Sequence, residues 1–186
     1  MFSIDTAIFN WLFLFGHKIN ADWLFIFLGK YLPYLMVVVF IWFLYKEVNL
    51  KNKIFIAGFL VLIELLSRGI ITQVIRFIYH RDRPFIALDI NPMFGGMTTG
   101  SFPSGHAVFF FSLALVSFLI NRKWGWIMTT MAFLVSISRV IAGVHWPSDI
   151  IAGAVIALLI FWGVYLMFPK DKFFPKEEME ENKNSQ

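Results

Sequence analysis

The sequence predicts an all-α, polytopic membrane protein: a bundle of about five transmembrane helices with an N-terminal helix lying in the membrane interface. Hydrophobic residues make up 59% of the 186 residues, against roughly 45–50% in a soluble domain. Apolar stretches close to the ~20 residues that cross a bilayer recur along the chain. We therefore expect one membrane domain at residues 1–168. Residues 169–186, rich in Lys, Glu and Asn, are predicted to form a disordered cytoplasmic tail.

The first apolar stretch, residues 2–17, is too short to cross a bilayer and is interrupted by Asp5 and Asn10. We expect an amphipathic helix in the membrane interface. Its apolar side would be formed by Ile4, Ile8, Phe9, Leu12 and Phe15. The alternative is a full additional span that begins near Phe2.

Five spans follow, at residues 23–45, 54–79, 104–120, 124–144 and 150–168. Each has the length and apolar composition that a transmembrane helix needs. The polar loop at residues 80–102, between the second and third spans, is longer than most loops in compact proteins, and loops of this length are often functional.

Three features inside these spans predict local structure. Lys30 and Pro33 indicate a break near the start of the first span. Glu64 and Arg68 are four residues apart in the second span, and we interpret them as a structural ion pair on one helix face. Gly153 with Ala157 in the fifth span favours close packing against another helix.

Alternation of the spans predicts which helix ends share a membrane face. The second and fourth spans end, and the third and fifth begin, at the same face. The opposite face carries Lys46, Lys51, Lys53, Arg122, Lys123, Lys170 and Lys172. Because basic loops stay in the cytoplasm, the first face is predicted to be extracytoplasmic, with the protein in the plasma (inner) membrane. We interpret the arginines of that face, at positions 76, 81, 83 and 139, as bound to a ligand.

Three motifs converge on the predicted extracytoplasmic face: Arg76-x6-Arg83-Pro84, Pro103-Ser104-Gly105-His106, and Ser138-Arg139-x5-His145-x3-Asp149. Guanidinium groups stay protonated and donate paired hydrogen bonds that suit a phosphoryl group. Ser104 is a good helix N-cap, and free amides at a helix start favour an anion. The conjunction predicts a pocket for a multiply charged anion, although each motif alone is more often structural.

The two histidines of these motifs suit different roles. His145 precedes Asp149 by four residues, so that the carboxylate can fix one ring nitrogen and leave the other free to attack phosphorus. His106 would protonate the leaving oxygen. A phosphohistidine would form, and water would hydrolyse it. The sequence has no cysteine, no HExxH motif and no carboxylate cluster near the histidines, so we expect no metal and no other cofactor.

Across about residues 24–168, these motifs resemble those of the type 2 phosphatidic acid phosphatase superfamily of integral-membrane lipid phosphatases. The family pattern is K-x6-R-P, then P-S-G-H, then S-R-x5-H-x3-D. The resemblance implies a helical bundle, the nucleophile His145 and the acid His106. It also implies phosphate ligands at Arg76, Arg83, Ser104, Gly105 and Arg139. Arg76 departs from the usual lysine, which keeps the charge but changes the donor geometry. The predicted spans argue against the soluble vanadium-dependent haloperoxidases of the same superfamily.

In its small size, the chain resembles the bacterial undecaprenyl pyrophosphate phosphatases of this superfamily. This resemblance implies a lipid diphosphate substrate. We expect no nucleic-acid partner. Phosphatidylglycerophosphate, phosphatidate and lipid A phosphatases share the motifs and stay open as alternatives, as does the oligomeric state. A membrane protein that binds or transports an anion without hydrolysis is the alternative of another class. A portal for the lipid chain could be lined by Phe85, Ile86, Met93, Phe94 and Met97.

Overall fold

The computed structural model describes residues 4–47, 50–95 and 100–168, and the regular secondary structure of these residues is entirely helical, as predicted. The N-terminal half contains α1 (Ile4–Lys18), α2 (Asp22–Ile26), a first π-helical segment (Phe27–Tyr31), α3 (Leu32–Glu47), α4 (Leu50–Glu64), a second π-helical segment (Leu65–Ile71) and α5 (Thr72–Ile78). The C-terminal half contains α6 (Pro84–Ala87), α7 (Gly105–Ser117), α8 (Arg122–Ile141) and α9 (Pro147–Met167). The predicted tail lies outside the described residues.

Four helical stretches of the described chain are long and apolar enough to cross a membrane: Asp22–Lys46, Asn52–Ile78, Arg122–Ile141 and Pro147–Met167. The third predicted span is the shorter helix α7, which ends at Ser117 and continues as a turn. Helix α7 packs against both α8 and α9 and buries side chains around much of its circumference. It therefore forms the centre of the bundle, and the longer helices surround it.

The predicted break in the first span is wrong: the helix continues through Lys30 and Pro33, with the first π segment at this point. Proline donates no backbone hydrogen bond and crowds the carbonyl four residues earlier. That carbonyl belongs to Gly29, and it accepts a hydrogen bond from Arg139 Nη1 at 3.2 Å. The carbonyl that proline leaves free within this span thus holds the side chain of Arg139, a residue of the predicted site.

The predicted ion pair between Glu64 and Arg68 does not form. The second π segment begins directly after Glu64, and its wider turns break the four-residue register that places such side chains together in an α-helix. Both carboxylate oxygens of Glu64 are buried and have no hydrogen-bond partner in the described part of the chain.

Helix α1 lies across one end of the bundle, as predicted for an interfacial helix, and does not form an additional span. Asp5, near its start, accepts a hydrogen bond from the backbone of Ser148, at the start of α9. Gly16, near its end, packs against Ile141, the last residue of α8. Since both contacts are at the same end of the bundle, α1 runs along that end. Phe9 is fully buried in the contact, and Ile4 is 81% exposed.

Close packing of α7 on α9 aligns the starts of both helices. A Cβ atom added to Gly153 would lie 2.8 Å from Ala107 Cβ and 2.9 Å from the Ser104 carbonyl oxygen. Ala157, one turn later on α9, is fully buried. The small residues therefore permit the close approach that their spacing predicts, and the Ser104 amide donates to the Asp149 carbonyl at 3.0 Å.

Candidate active site

All eight residues predicted for the site lie at the end of the bundle that α1 covers. The turn between α8 and α9 organises them. Helix α8 ends where Gly143 takes a left-handed conformation, with φ of 81°, a geometry that favours glycine after a helix. The Val144 amide donates back to the Arg139 carbonyl at 3.0 Å. This turn directs His145 into the bundle, where the residue is 1% exposed.

Asp149 is a fully buried carboxylate that accepts hydrogen bonds at both oxygens. The Trp146 amide donates to Oδ2 at 2.8 Å, which satisfies a free amide at the start of α9. The Ser101 hydroxyl also donates to Oδ2, through a short hydrogen bond. Arg81 Nη1 lies 2.9 Å from Oδ1 and forms an ion pair. Donors from three segments thus fix the position of the carboxylate.

His145 has a different partner at each ring nitrogen. Nδ1 lies 3.3 Å from Asp149 Oδ2, and Nε2 lies 3.3 Å from Arg83 Nη1. A guanidinium group can only donate, so Nε2 accepts and the ring proton is on Nδ1. Burial lowers the pKa of His145 to about 4 and the charges of Arg139 and Arg83 act in the same direction, while Asp149 opposes them. The imidazole is therefore neutral at pH 7, with its Nε2 lone pair directed at Arg83.

Each of the three predicted arginine ligands is held by a backbone carbonyl. Arg76 Nη2 donates to Pro103 at 2.9 Å. Arg83 Nη1 donates to Val144 at 3.3 Å as well as to His145. Arg139 donates to the first π segment and lies over the Phe94 ring at 5.6 Å. The Nε atoms of Arg76 and Arg139 are buried without a hydrogen-bond partner in the described part of the chain, which leaves donors for an anion.

The start of α7 provides the remaining predicted residues. Ser104 caps the helix, because its hydroxyl accepts from the Ala107 amide at 3.4 Å. A Cβ atom added to Gly105 would lie 3.5 Å from Arg76 Nη2, so glycine keeps the space beside this guanidinium open. His106 follows, and its side chain lines a cavity of about 830 Å³.

That cavity lies beside the site and combines charge with apolar surface. Its polar lining includes His106, Arg139, Arg68 and Lys30, and its apolar lining includes Ile26, Val37, Met93, Phe94, Phe109 and Phe110. Met93 and Phe94 thus occupy the predicted portal position. Phe85 and Ile86 are not among the described lining residues, and Met97 lies outside the described part of the chain.

Four residues that the motifs do not contain also belong to the site: Ser101, Arg81, Ser148 and Asp5. Ser101 lies 3.5 Å from His145 Nδ1 in addition to its bond to Asp149. Arg81 joins Asp149 to Asp5 and to the Ser148 hydroxyl. Burial alone would raise the pKa of Asp5, but hydrogen bonds from Ser148 and Arg81 lower it. Arg81 is therefore an internal support of the site, which corrects its interpretation as an arginine bound to a ligand.

The family model described as the PAP2 superfamily matches residues 56–173. The chain belongs to this superfamily, and is an integral membrane phosphatase of it. The match includes every residue of the three motifs.

Individual relatives agree with this assignment. The chain is 30% identical over 141 residues, 73% of its length and 68% of the relative's, to a Bacillus licheniformis protein named bacitracin transport permease protein BcrC. It is 26% identical over 146 residues, 77% of the chain and 73% of the relative, to undecaprenyl-diphosphatase BcrC of Bacillus subtilis (strain 168). The crystal structure of Aquifex aeolicus LpxE superposes with a TM-score of 0.72 at 26% identity, covering 90% of this chain and 97% of that one.

Proposed function

We propose that the protein hydrolyses undecaprenyl diphosphate to undecaprenyl phosphate and inorganic phosphate, at the extracytoplasmic face, through a phosphohistidine at His145. The observation that carries this proposal is the orientation of one imidazole. Asp149 accepts the hydrogen bond from Nδ1–H of His145, and Nε2 is directed toward Arg83. A protein that only binds an anion has no need of an oriented, neutral imidazole. The fixed tautomer supports a nucleophile.

In the first step, His145 Nε2 attacks the terminal phosphorus as the bond to the bridging oxygen breaks. Arg83 Nη1, which occupies Nε2 in the free protein, transfers its hydrogen bond to a phosphoryl oxygen. Arg76 and Arg139 neutralise the charge that develops on the other oxygens. His106 gives its proton to the oxygen of the departing lipid phosphate. Asp149 stabilises the positive charge that the phosphorylated imidazole acquires.

In the second step, water attacks the phosphohistidine opposite the nitrogen. His106 accepts the proton from water, and the P–N bond breaks to regenerate His145. The products are inorganic phosphate and the lipid monophosphate. No oxidant, reductant or second substrate is consumed.

The lipid assignment rests on the relative named undecaprenyl-diphosphatase and on the apolar lining of the cavity. Phosphatidylglycerophosphate, phosphatidate and lipid A would use the same phosphate ligands. The test is release of inorganic phosphate by the purified protein in detergent with excess EDTA, across prenyl diphosphates and these three lipids. We expect prenyl diphosphate to give the highest kcat/KM. A phosphoglyceride with a higher value would replace the substrate, and no phosphate release from any lipid would favour an anion binder.

The same assay tests for a metal. Among the described residues, no group of three His, Cys, Asp or Glu side chains is placed to hold an ion, which supports phosphate activation by arginines instead. We expect full activity with chelator. Loss of activity with EDTA that one divalent ion restores would contradict the proposed mechanism.

The extracytoplasmic location of the site is tested by topology reporters. Fusions after Lys123, at the start of α8, and within the loop at residues 80–102 lie at opposite ends of the bundle. From the distribution of lysines we expect a cytoplasmic signal from the first fusion and an extracytoplasmic signal from the second. The reverse pattern would place the site in the cytoplasm.

A further inference from the structure

Arg68 is a cationic residue that neither the motifs nor the proposed mechanism uses, and it lies at the site. It belongs to the second π segment, two turns before Arg76 along the second span. In a continuous α-helix, which turns about 100° per residue, two residues eight positions apart point about 80° away from each other. The π segment has more residues per turn, so it changes the angle between the directions of the two side chains.

Both guanidinium groups consequently approach the same point. A Cβ atom added to Gly105 would lie 3.5 Å from Arg76 Nη2 and 3.7 Å from Arg68 Nε. Single π-helical turns occur frequently at functional sites. Here the turn brings a second arginine of the same span to the start of α7.

Arg68 differs from Arg76, Arg83 and Arg139 in its hydrogen bonding. Those three donate to backbone carbonyls. In the described chain, the Arg68 guanidinium makes no hydrogen bond and no ion pair, and it lies over the Phe109 ring at 5.7 Å. Glu64 lies four residues earlier, but its carboxylate oxygens have no hydrogen-bond partner in the described chain and form no ion pair with Arg68. A guanidinium beside an aromatic face and other cations, with its donors unused, is suited to an anionic ligand.

Its position also separates it from the nucleophile. Arg68 lines the 830 Å³ cavity together with His106 and Arg139. It also lines a second cavity of about 590 Å³ between the second span and Phe109, whose other walls are apolar except for Glu64 and Gln73. Arg68 therefore lies between the leaving-group acid and an apolar surface, whereas Arg83 contacts His145 directly.

We propose that Arg68 binds the phosphate that stays with the lipid, that is, the non-transferred phosphate of a diphosphate substrate. This inference rests on the proposed function. The departing lipid phosphate gains negative charge as the bridging bond breaks, and a guanidinium on the His106 side stabilises that charge. A lipid monophosphate has no second phosphate to place there, so Arg68 determines specificity for diphosphates over monophosphates.

The first test compares prenyl diphosphate and prenyl monophosphate of the same chain length as substrates. Arg68→Ala should lower kcat/KM for the diphosphate by about tenfold or more, the size of one lost charge-assisted contact. For the monophosphate it should change kcat/KM by less than about threefold, and Arg68→Lys should restore part of the loss. Arg76→Ala should lower both activities. Lys123→Ala, which removes one positive charge at the opposite end of the bundle, is the matched control and should change neither.

Equal losses on both substrates for Arg68→Ala, or no loss on the diphosphate, would overturn the inference. Binding gives a second measurement that does not require turnover. By calorimetry in detergent, Arg68→Ala should weaken inorganic pyrophosphate binding by about tenfold and leave inorganic phosphate binding unchanged; equal weakening of both would overturn the inference. If the unaltered protein hydrolyses no prenyl diphosphate, the proposed function fails, whereas the pyrophosphate measurement still decides the role of Arg68.

Discussion

The two sides of the candidate site are built differently. On the side of the proposed nucleophile, His145 and Asp149 are buried, and each ring nitrogen and each carboxylate oxygen has a protein partner. On the side of the proposed acid, His106 and Arg68 line an open cavity. In the proposed mechanism, the reacting nitrogen is therefore held in place before substrate arrives, and the substrate completes the opposite side. Fixing the reactive group in advance lowers the entropic part of the barrier.

The largest expected difference between the two sides is in the response to the leaving group. We expect His145→Ala to lose at least about 10⁴-fold in kcat on every substrate, because no nucleophile remains. His106→Ala should retain proportionally more activity on activated aryl phosphates, whose leaving oxygen needs no proton, than on alkyl phosphomonoesters. The measurement is turnover of both variants across a leaving-group series. If His106→Ala lost the same fraction of activity on every substrate of the series, His106 would not be the acid that protonates the leaving group.

Asp149→Asn tests the support of the nucleophile. The amide keeps the volume but no longer enforces the Nδ1 proton, and the same change in a serine protease triad costs about 10⁴-fold. We expect a loss approaching this size in kcat, smaller than that of His145→Ala. Asp5 contacts Arg81 and Ser148 but not Asp149 itself, so Asp5→Asn should cost about tenfold or less. Comparable losses for the two variants would show that the network acts as one unit.

Arg76→Ala tests the phosphate ligands between the two sides. Loss of one charge-assisted contact, roughly 1.5–3 kcal/mol, predicts a decrease of at least about tenfold in kcat/KM. Arg76→Lys should keep much of the activity, because the charge remains. Steady-state kinetics on one lipid substrate decide this, and unchanged turnover in the alanine variant would make Arg76 a bystander.

A smaller effect is expected in the pH dependence of kcat/KM, which reports groups of the free enzyme. His145 must be unprotonated to attack, and its pKa is lowered to about 4. The activity is therefore expected to persist as the pH falls below 6.5, the usual pKa of histidine, and to decline only toward about 4. A decline centred at 6.5 or above would mean that the nucleophile is less shielded than its burial indicates.

The spans, and the end of the bundle at which the predicted site residues lie, could be predicted from the sequence because both depend on local patterns. The lengths of the apolar stretches predict the ends of the helices within a few residues. The alternating direction of the spans predicts that the three motifs lie at one end of the bundle. The four-residue spacing of His145 and Asp149 predicted their contact. Gly153 and Ala157 likewise predicted the approach of α7 and α9.

The errors arose where structure departs from regular helices or depends on distant contacts. A π segment leaves no mark on the hydrophobicity pattern of the sequence. The α-helical spacing of Glu64 and Arg68 therefore predicts an ion pair that the second π segment prevents. The bond between Asp5 and Ser148 joins residues 143 positions apart, and no periodicity indicates it. Ser101 precedes the second motif in a loop, where an isolated serine carries no distinguishing pattern.

Trapping the covalent intermediate tests the central claim most directly. The protein is mixed with prenyl diphosphate labelled with ³²P in the terminal phosphate, quenched in alkali and digested, and the labelled peptide is sequenced by mass spectrometry. His145→Ala and Lys123→Ala are treated in parallel. We expect an acid-labile, alkali-stable phosphoryl group on Nε2 of His145 in the unaltered protein and in Lys123→Ala, and none in His145→Ala. A label on another residue, or one that persists in His145→Ala, would contradict this expectation.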